Sequence, residues 1–436
     1  MATAVAEHEV MILGGGVAGL SASLVSRAPV YEAADRSGGV ASSDSVGGFT
    51  FDRGIHVLQT RNERVLKLFD DLGIRFRTNV RNAFIYAHGQ YSEYPFQVNT
   101  ANLPLALRAK CVWGFIRREA NPEPTNYEEW IYRSVGKGFA DTFLIPYSEK
   151  FWGISMRDMT FEWTGSRVPS VKLSQVLRGA VINRITAVGT NATFKYPASG
   201  PGYDAIASAI ARSAGPIHTG WRATHIDPAR REIEFAGRGT VRYGSLVNTI
   251  PIPELIAICP SAPDEIRTAA RQLRTNSIYV VNLGIRRAAN PDKHWVHFPE
   301  KDISFFRLSF PHNFADDLAP PGMSSVSCEV SYPSGRPPDR KTIIGRVTAD
   351  LIRVGVLRQD DEIVATSTHD ISYAYCLYTK ERARALATVN GWLEQAGIIP
   401  CGRYGLWTYF WSDEAIASGL EVGEKLVGKP QSAVSA

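Results

Sequence analysis

The sequence has few of the residues that build metal sites and disulfide frameworks. Its 436 residues include five cysteines, an odd number, with no C-x-x-C pair and no mixed Cys/His cluster. They are scattered along the chain at Cys111, Cys259, Cys328, Cys376 and Cys401. This usage is typical of reduced thiols, and it predicts neither a disulfide scaffold nor a structural metal.

Long apolar runs are also missing. The sequence contains no stretch of 18 uncharged apolar residues, which argues against a transmembrane helix. The first ten residues, MATAVAEHEV, lack the basic segment and following apolar segment of a secretion signal. We therefore expect a cytoplasmic protein without a membrane partner.

Charge of one sign is not concentrated anywhere in the sequence. The net charge is +5, and no run of Lys and Arg resembles a nucleic-acid-binding tail. A mildly basic chain of this kind favours small anionic ligands and argues against a nucleic-acid partner. The length of 436 residues predicts two or three domains.

A glycine-rich turn near the start of the chain is the first positive signal. Residues 11–20, MILGGGVAGL, predict a strand, a turn and a helix, in which Gly14, Gly16 and Gly19 form G-x-G-x-x-G. In a dinucleotide-binding turn the first glycine permits the turn and the second lets backbone N–H groups approach a pyrophosphate. The third allows close packing of helix on strand. A glycine-rich turn without a ligand is the alternative interpretation of this motif alone.

Two features after the turn support the dinucleotide interpretation. Glu32 ends a second predicted strand, APVYE, where a carboxylate accepts ribose hydroxyls. It follows Gly19 by 13 residues where about 20 are usual, so we expect a short first helix. Gly39 belongs to a second small-residue turn, DRSGGVAS, which suits a loop passing the dinucleotide phosphates.

The pattern along the rest of the chain predicts three regions. Helical spacing dominates residues 103–172, and alternating strands return after residue 192. We predict a nucleotide-binding domain of residues 1–100, 186–270 and 395–436, a helical substrate-binding domain of residues 101–185, and an antiparallel β-sheet domain of residues 271–394. The predicted fold class is α/β combined with α+β.

Two arginines stand among aromatic residues and are candidates for binding phosphate. Arg167 lies in FEWTGSRV and Arg307 ends WVHFPEKDISFFR. A guanidinium binds phosphate oxygens in pairs, although a structural ion pair is the alternative for each arginine alone. Phenols that could donate neutral hydrogen bonds, or simply pack in the core, recur at Tyr94, Tyr147, Tyr375, Tyr378, Tyr404 and Tyr409.

Together these residues resemble a known family, the FAD-dependent UDP-galactopyranose mutases, more the eukaryotic (fungal) type than the compact bacterial one. The resemblance is discontinuous and covers nearly the whole chain. Five ordered segments carry it: NYEEWIYRSVGKGFADTFLIPYSEKFW with FEWTGSRV, NATFKYPASGPG, HWVHFPEKDISFFR, YCLYTKER and CGRYGLWTYFWSDEA.

The resemblance, with the motifs above, assigns residues to each ligand. Catalytic roles are implied for Arg167 and Arg307, which bind the diphosphate, and for His56. Substrate contacts, with Phe143 stacked on the uracil, are predicted for Phe143, Tyr94, Asn191, Trp295, Tyr375 and Tyr409. Cofactor contacts are predicted for Gly14, Gly16, Gly19, Glu32, Gly39, Gly54, Arg403 and Asp413.

Three positions differ from the family pattern. Ile55 replaces a glycine in the Gly-Gly-His turn that meets the flavin N5, here Gly54-Ile55-His56. His297 stands where a tyrosine is expected, and Asp413 where an asparagine is expected. As a histidine close to His294 in a predicted strand, His297 is expected to face the core or the solvent.

The family resemblance also implies an architecture and an activity. It implies a Rossmann-like FAD-binding domain with an inserted helical domain and an antiparallel β-sheet substrate domain. The implied activity interconverts pyranose and furanose forms of a nucleoside diphosphate sugar without net redox change, through an adduct between the sugar and N5 of reduced FAD. NAD(P)H or another reductant, a homo-oligomer, and a place in glycan or secondary-metabolite synthesis are the accompanying expectations.

Two other functions stay open at this stage. One is an FAD-dependent oxidoreductase related to amine oxidases and protoporphyrinogen oxidase, for which the glycine motifs serve equally well. The other is a flavin-free binding protein on the same fold, like the Rab GDP-dissociation inhibitors. Only the set of arginines and tyrosines favours a second diphosphate site.

Overall fold

A computed structural model describes residues 6–118, 123–165, 171–182, 192–288 and 292–428. The strands in these ranges are β1 (Ala6–Leu13), β2 (Val30–Tyr31), β3 (Ser43–Val46), β4 (Phe49–Asp52), β5 (Phe76–Val80), β6 (Ala83–Ala87), β7 (Gln90–Glu93), β8 (Thr193–Pro197), β9 (Ile217–His218), β10 (Ala223–Asp227), β11 (Glu232–Phe235), β12 (Gly239–Asn248), β13 (Thr275–Ile285), β14 (Trp295–His297), β15 (Arg307–Ser309), β16 (Ser324–Tyr332), β17 (Ile363–Cys376) and β18 (Ile398–Pro400).

The α-helices in the same ranges are α1 (Val17–Ser26), α2 (Glu63–Asp71), α3 (Leu105–Ile116), α4 (Tyr127–Phe139), α5 (Ile145–Trp152), α6 (Leu173–Gly179), α7 (Asp204–Ser213), α8 (Ile252–Ala257), α9 (Asp264–Gln272), α10 (Arg340–Arg353), α11 (Arg382–Gln395), α12 (Gly402–Gly405) and α13 (Ser412–Leu426). A π-helical turn, Ala140–Leu144, joins α4 to α5. None of these helices combines the length and the apolar character needed to cross a bilayer.

The first sheet is built around the strand that leads into the glycine turn. Its order is β10-β11-β12-β1-β2-β9, with β18 beside the end of β12. β1 is parallel to β12 and β2, and β9 and β18 continue the parallel part, while β10 and β11 are antiparallel. This is the Rossmann-like arrangement that the sequence predicts, with the turn at the carboxyl end of β1.

The first helix is short, as predicted from the position of Glu32. α1 has ten residues and ends at Arg27, whose backbone is left-handed with φ of 61°. α13 packs along α1, and two of its glycines allow this contact. A Cβ at Gly419 would lie 2.2 Å from the backbone oxygen of Ala18, and one at Gly423 would lie 2.7 Å from the Cβ of Val25.

The second sheet has the order β17-β13-β16-β15-β14-β6-β7. It is antiparallel, as expected, except that β14 and β6 are parallel. Alternate residues of β13 face opposite sides of the sheet. Ile278 and Val280 pack toward the helices α3 to α6, which we call the helical region, and Val281 and Leu283 pack toward α10. The sheet thus separates a helical layer on one face from α10 on the other.

β6 and β7 form an antiparallel hairpin that lies in the second sheet. β6 connects the hairpin to the rest of this sheet, because Phe84 of β6 pairs with Val296 of β14. Alternation along a strand identifies the strand but carries no information on which sheet it joins. The three predicted domain boundaries stay a prediction.

Candidate functional site

The glycine turn has the geometry that each of its glycines was predicted to supply. Gly14 has φ of +102°, and a Cβ there would lie 2.3 Å from Oγ1 of Thr249. A Cβ at Gly19 would lie 2.1 Å from the carbonyl oxygen of Gly14, so only glycine lets α1 pack this closely on β1. A Cβ at Gly16 meets nothing within 4 Å. Open space therefore lies beside the N-terminus of α1, where an anion is favoured.

Glu32 and Gly39 lie against the same turn. The Glu32 carboxylate accepts hydrogen bonds from the backbone N–H of Gly15 at 2.7 Å and of Ala34 at 2.8 Å. The second small-residue turn runs alongside, because Gly38 N–H donates to the carbonyl of Gly15 at 2.7 Å. Gly39 has φ of +59°, and a Cβ on it would lie 3.2 Å from the Cα of Gly16. The predicted residues Gly14, Gly16, Gly19, Glu32 and Gly39 thus lie at one place, which we call the glycine cradle.

A cavity of about 370 Å³ lies between the second sheet, the helical region and the segment after β4. Nine predicted site residues line it: Gly54, His56, Tyr94, Phe143, Trp295, Arg307, Tyr375, Arg403 and Tyr409. Val40, next to Gly39, also lines the cavity. The cradle and the cavity therefore adjoin each other.

Arg307 is the buried cation of the cavity wall. Its Nε donates to a carboxylate oxygen of Glu329, its cross-strand neighbour, and the two side chains are 15% and 5% exposed. Burial opposes the charge on Arg307, but the Glu329 carboxylate holds its pKa well above the usual range. Nη2 of Arg307 is buried and has no hydrogen-bond partner among the described residues. The N–H groups of Nη2 are thus without a partner in the described chain and could donate to a ligand.

Aromatic side chains form much of the remaining wall. Phe143 comes from the π-helical turn and stacks on Tyr147 with ring centroids 5.4 Å apart. The Tyr375 and Tyr409 rings lie 5.4 Å apart. Arg403 lies near both, 5.3 Å and 5.8 Å from their centroids. The two tyrosines predicted from distant segments are therefore neighbours.

Arg403 is fixed by backbone carbonyls. Its Nη1 donates to the carbonyl of Ala374 at 3.0 Å, and its Nε donates to that of Phe410 at 2.7 Å. The side chain is half-buried and keeps a fixed direction on the cavity wall. Asp413 is buried in the first turn of α13 and does not line the cavity, although the adjacent Ser412 does. Burial raises the pKa of Asp413.

His56 is held as a neutral ring. Its Nδ1 lies 3.0 Å from the carbonyl of Gly54, so Nδ1 carries the proton and Nε2 is left as an acceptor. Burial, with the positive charges of Arg403 and Arg307, lowers the pKa of His56 to about 4. The N–H of Ile55 donates to Oε1 of Glu329 at 3.3 Å. The Gly54-Ile55-His56 turn is thus attached to the ion pair of Arg307.

Glu329, Arg81 and His297 are among the cavity residues that were not predicted as site residues. Glu329 lies in the almost wholly buried strand β16, and a glutamate in such a strand is a sequence signal for a buried partner. Arg81 is half-buried, with its guanidinium 4.7 Å over the Tyr94 ring and its Nη2 without a partner among the described residues. The residues around Arg81 carry no motif that could have identified it.

His297 is the third, and the expectation that it faces core or solvent is wrong. It lines the cavity, with Nδ1 2.8 Å from the hydroxyl of Tyr147. Burial, with the charges of Arg307 and Arg81, lowers the pKa of His297 to about 3, so this ring is also neutral. The periodicity of a three-residue strand was too short to show which side the ring takes.

Two predicted site residues, Arg167 and Asn191, lie outside the described residues, so their predicted contacts with the diphosphate stay predictions. The five cysteines are described, and all are free and buried.

The glycine cradle, the carboxylate at the end of β2 and the adjoining cavity define a dinucleotide-binding protein with a Rossmann-like domain. The model of the family "Flavin containing amine oxidoreductase" matches residues 21–392. The chain belongs to this family.

Solved structures that are similar to the chain include both isomerising and oxidising enzymes. One is a reduced UDP-galactopyranose mutase, with 27% identity over 97% of this chain and 96% of that one and a TM-score of 0.90. Another is a putative protoporphyrinogen oxidase from Exiguobacterium sp. 255-15, with 16% identity over 97% and 99% and a TM-score of 0.75. A third is putrescine oxidase bound to putrescine, with 14% identity over 98% and 100% and a TM-score of 0.65. The last two likenesses concern the fold alone.

Family membership implies a flavin cofactor, and the residues of the cradle fit one. The space beside Gly16 is open at the N-terminus of α1, as a pyrophosphate requires. Gly54, His56 and Arg403 line the cavity, as does Val40 of the second glycine turn. The residues that would hold a flavin ring thus continue from those that would hold its phosphates.

Proposed function

We propose that the protein is an FAD-dependent mutase that interconverts pyranose and furanose forms of a nucleoside diphosphate sugar without net redox change. The observation that carries this proposal is Arg307, a buried cation of the cavity wall whose Nη2 has no partner among the described residues. A second diphosphate, beside that of the cofactor, is a ligand that such a group suits. The likeness to a mutase at a TM-score of 0.90 supports the same choice.

The charge of the cavity argues against an amine as substrate. Four arginines, Arg53, Arg81, Arg307 and Arg403, line it, whereas Glu329 is the acidic residue among the described lining residues. A cationic amine is repelled by such a wall, and a diphosphate is attracted. The oxidoreductase alternative therefore has less support from this site than the mutase.

The residues of the cavity suit the departure and return of a nucleoside diphosphate. Bound reduced flavin supplies an electron-rich nitrogen for the anomeric carbon of the sugar. Arg307 stabilises the negative charge that develops on the departing diphosphate, because Glu329 fixes its direction in advance. The hydroxyls of Tyr375 and Tyr409 donate neutral hydrogen bonds to phosphate oxygens. The stacked rings of Phe143 and Tyr147 suit the base.

Two further residues suit sugar groups, His56 in the cavity and Glu32 at the glycine turn. His56, neutral and with Nε2 free to accept, receives a proton or hydrogen bond from a sugar hydroxyl. Glu32, whose carboxylate already orders the glycine turn, accepts the ribose hydroxyls of the cofactor on its remaining lone pairs. Arg167 and Asn191 are proposed to complete the diphosphate site, as in the eukaryotic members of the mutase family.

The experiment is to incubate the reduced holoenzyme with UDP-, GDP- and dTDP-sugars and to separate ring isomers by chromatography. A mutase gives a product of the same mass as the substrate, whereas an oxidase gives one that lacks two hydrogens. Purified protein without flavin absorbance would instead favour the binding-protein alternative. NAD(P)H should replace a chemical reductant if it is the physiological one.

The variant that tests the assigned role is Arg307→Lys. Lysine keeps a cation beside Glu329 but lacks the second N–H donor group that Nη2 supplies. We expect kcat to fall by a factor of about 10² to 10³, or about 2.7–4 kcal/mol of transition-state stabilisation, with flavin retained. Arg286→Ala is the matched control, since Arg286 forms an exposed ion pair with Glu362. Wild-type turnover by Arg307→Lys would contradict the role given to Arg307.

A further inference from the structure

Most of the large hydrophobic side chains that are exposed in the described chain lie on or directly after the helices α3 and α6. Ten large hydrophobic side chains are exposed in the described residues, and seven of them belong to α3, to α6 or to the residues directly after α6. The seven are Leu105, Trp113, Ile116, Leu173, Leu177, Val181 and Ile182. Their exposed fractions include 71% for Leu105, 57% for Trp113 and 76% for Val181, so they are not edge residues of the core.

The two helices present these side chains at helical spacing. Leu105 and Trp113 lie two turns apart on α3, and Leu173, Leu177 and Val181 follow one another at intervals of four residues. α3 and α6 pack against each other, and Nη1 of Arg108 donates to the carbonyl of Ala180 at 2.9 Å. The two apolar stripes therefore lie on adjacent elements, which we call the α3–α6 surface.

Exposed basic side chains accompany the apolar ones, and acidic residues do not. The exposed bases of this surface are Lys110, Arg117, Arg118, Lys172 and Arg178. The sequence has no Asp or Glu from residue 94 to 118 or from residue 163 to 203. Asp141, which precedes the helix α5, lies 3.9 Å from Nζ of Lys110. The Arg117 guanidinium lies 4.4 Å from the Trp113 ring, so charge and apolar area are in direct contact.

We propose that the α3–α6 surface binds peripherally to a bilayer of anionic phospholipids. Apolar side chains beside lysines and arginines, with an exposed tryptophan, are the composition of a helix face that lies in the headgroup region. The basic residues attract anionic headgroups while the leucines and the tryptophan enter the acyl boundary. A second copy of this chain is a poorer partner, because a symmetric contact brings the same basic patch against itself.

This inference does not depend on a spanning helix or on the proposed function. It departs from the expectation of no membrane partner, which was based on missing spanning segments alone. α3 packs on α4, which continues into the turn that carries Phe143. α6 packs on the turn Phe96–Val98, whose Gln97 lines the cavity, so both helices of the surface pack on segments that form the cavity wall.

The test is co-sedimentation of the holoenzyme with vesicles of phosphatidylcholine alone and of phosphatidylcholine mixed with phosphatidylglycerol. We expect binding to the mixed vesicles only, and a loss of binding as salt rises. Trp113→Gln and Leu177→Gln should each weaken binding about tenfold. Val80→Gln is the matched control, since Val80 is 73% exposed on β5, outside the surface.

Three results would overturn the proposal. The first is no sedimentation of the wild-type protein with mixed vesicles, a result that does not depend on any variant folding. The second is vesicle binding that both substitutions on the surface leave unchanged. The third is a wild-type dimer, measured by analytical ultracentrifugation without lipid, that Trp113→Gln and Leu177→Gln convert to monomer, which would assign the surface to a second copy.

Discussion

At the scale of single residues, the site depends on a buried ion pair. Arg307 and Glu329 are cross-strand neighbours of β15 and β16, and Glu329 also accepts the N–H of Ile55. A buried charge without its partner is costly because the low-dielectric interior solvates it poorly. Glu329 therefore orients the cation of the cavity and the turn that carries His56.

The prediction for this pair concerns stability. Glu329→Ala should lower the free energy of unfolding by about 3–5 kcal/mol, since it leaves Arg307 as an unpaired buried cation. Glu362→Ala, which removes one partner of an exposed ion pair with Arg286, should change it by less than about 1 kcal/mol. Urea unfolding of both variants measures the difference, and equal effects would contradict the special place of Glu329.

A second prediction at this scale concerns pH. Nζ of Lys150 donates to the carbonyls of Phe298 at 3.1 Å and Glu300 at 2.7 Å, and burial lowers its pKa from 10.5 to about 7. Between these values the unfolded chain binds a proton that the folded chain does not, so this group makes stability rise with pH. The contribution of Lys150 is lost as pH falls through about 7.

Lys150→Met removes the titrating group and should flatten this part of the profile. The measurement is the free energy of unfolding of both proteins from pH 7 to pH 10, and the variant is also expected to be less stable because two carbonyls lose a donor. Lys301→Met is the control, since Lys301 is exposed beside Glu149. A slope that stays the same in Lys150→Met would show that other groups cause it.

At the scale of elements, two glycines of the same turn have different roles: Gly16 leaves space for a ligand, and Gly19 allows α1 to pack on β1. A Cβ at Gly16 meets open space, whereas one at Gly19 meets the carbonyl of Gly14 at 2.1 Å. We predict that Gly16→Ala keeps the thermal stability of the apoprotein and binds flavin more weakly, because the methyl group occupies the space of the pyrophosphate. Gly19→Ala should instead lower the melting temperature of the apoprotein, since α1 must move away from β1.

The two variants are compared in the flavin-free state, by thermal unfolding, and then by titration with FAD. If Gly16→Ala bound FAD as tightly as the wild type, the cradle would not hold the pyrophosphate. If Gly19→Ala melted at the wild-type temperature, the close packing of α1 on β1 would not need glycine.

At this scale the sequence predicts most of what the structure contains, for identifiable reasons. The glycine spacing fixes the turn after β1, and the distance to Glu32 predicts a short α1, which has ten residues. Tyr375 and Tyr409 could be placed in one site only through the resemblance, because their proximity arises from sheet and helix packing between remote segments. Arg81 was missed because no motif surrounds it, and the orientation of His297 was missed because its strand has only three residues. The sheet joined by β6 was not predictable from alternation.

At the scale of the whole molecule, α13 packs on α1, and the fold depends on contacts between regions distant in sequence. The contact depends on Gly419, where a Cβ would lie 2.2 Å from the backbone of Ala18. Gly419→Ala should therefore destabilise the protein by about 1–3 kcal/mol. Gly391→Ala is the matched substitution, in the interior of α11 with nothing within 4 Å of the new Cβ.

Gly391→Ala should stabilise the protein by about 0.5–1 kcal/mol, because alanine loses less conformational entropy in a helix. Differential scanning calorimetry of the two variants gives the comparison. A lower stability of Gly419→Ala together with a higher stability of Gly391→Ala supports the close packing of α1 on α13. A stabilised Gly419→Ala would mean that the two helices can move apart without loss of stability.

The pairing of β1 with β12 and of α1 with α13 has a consequence for the order of events during biosynthesis. The phosphate-binding turn is made before its supporting neighbours, residues 239–248 and 412–426. A nascent chain that ends before those residues lacks the contacts that hold the turn in place. We therefore expect flavin to bind only after residues 412–426 have been made and have packed on α1.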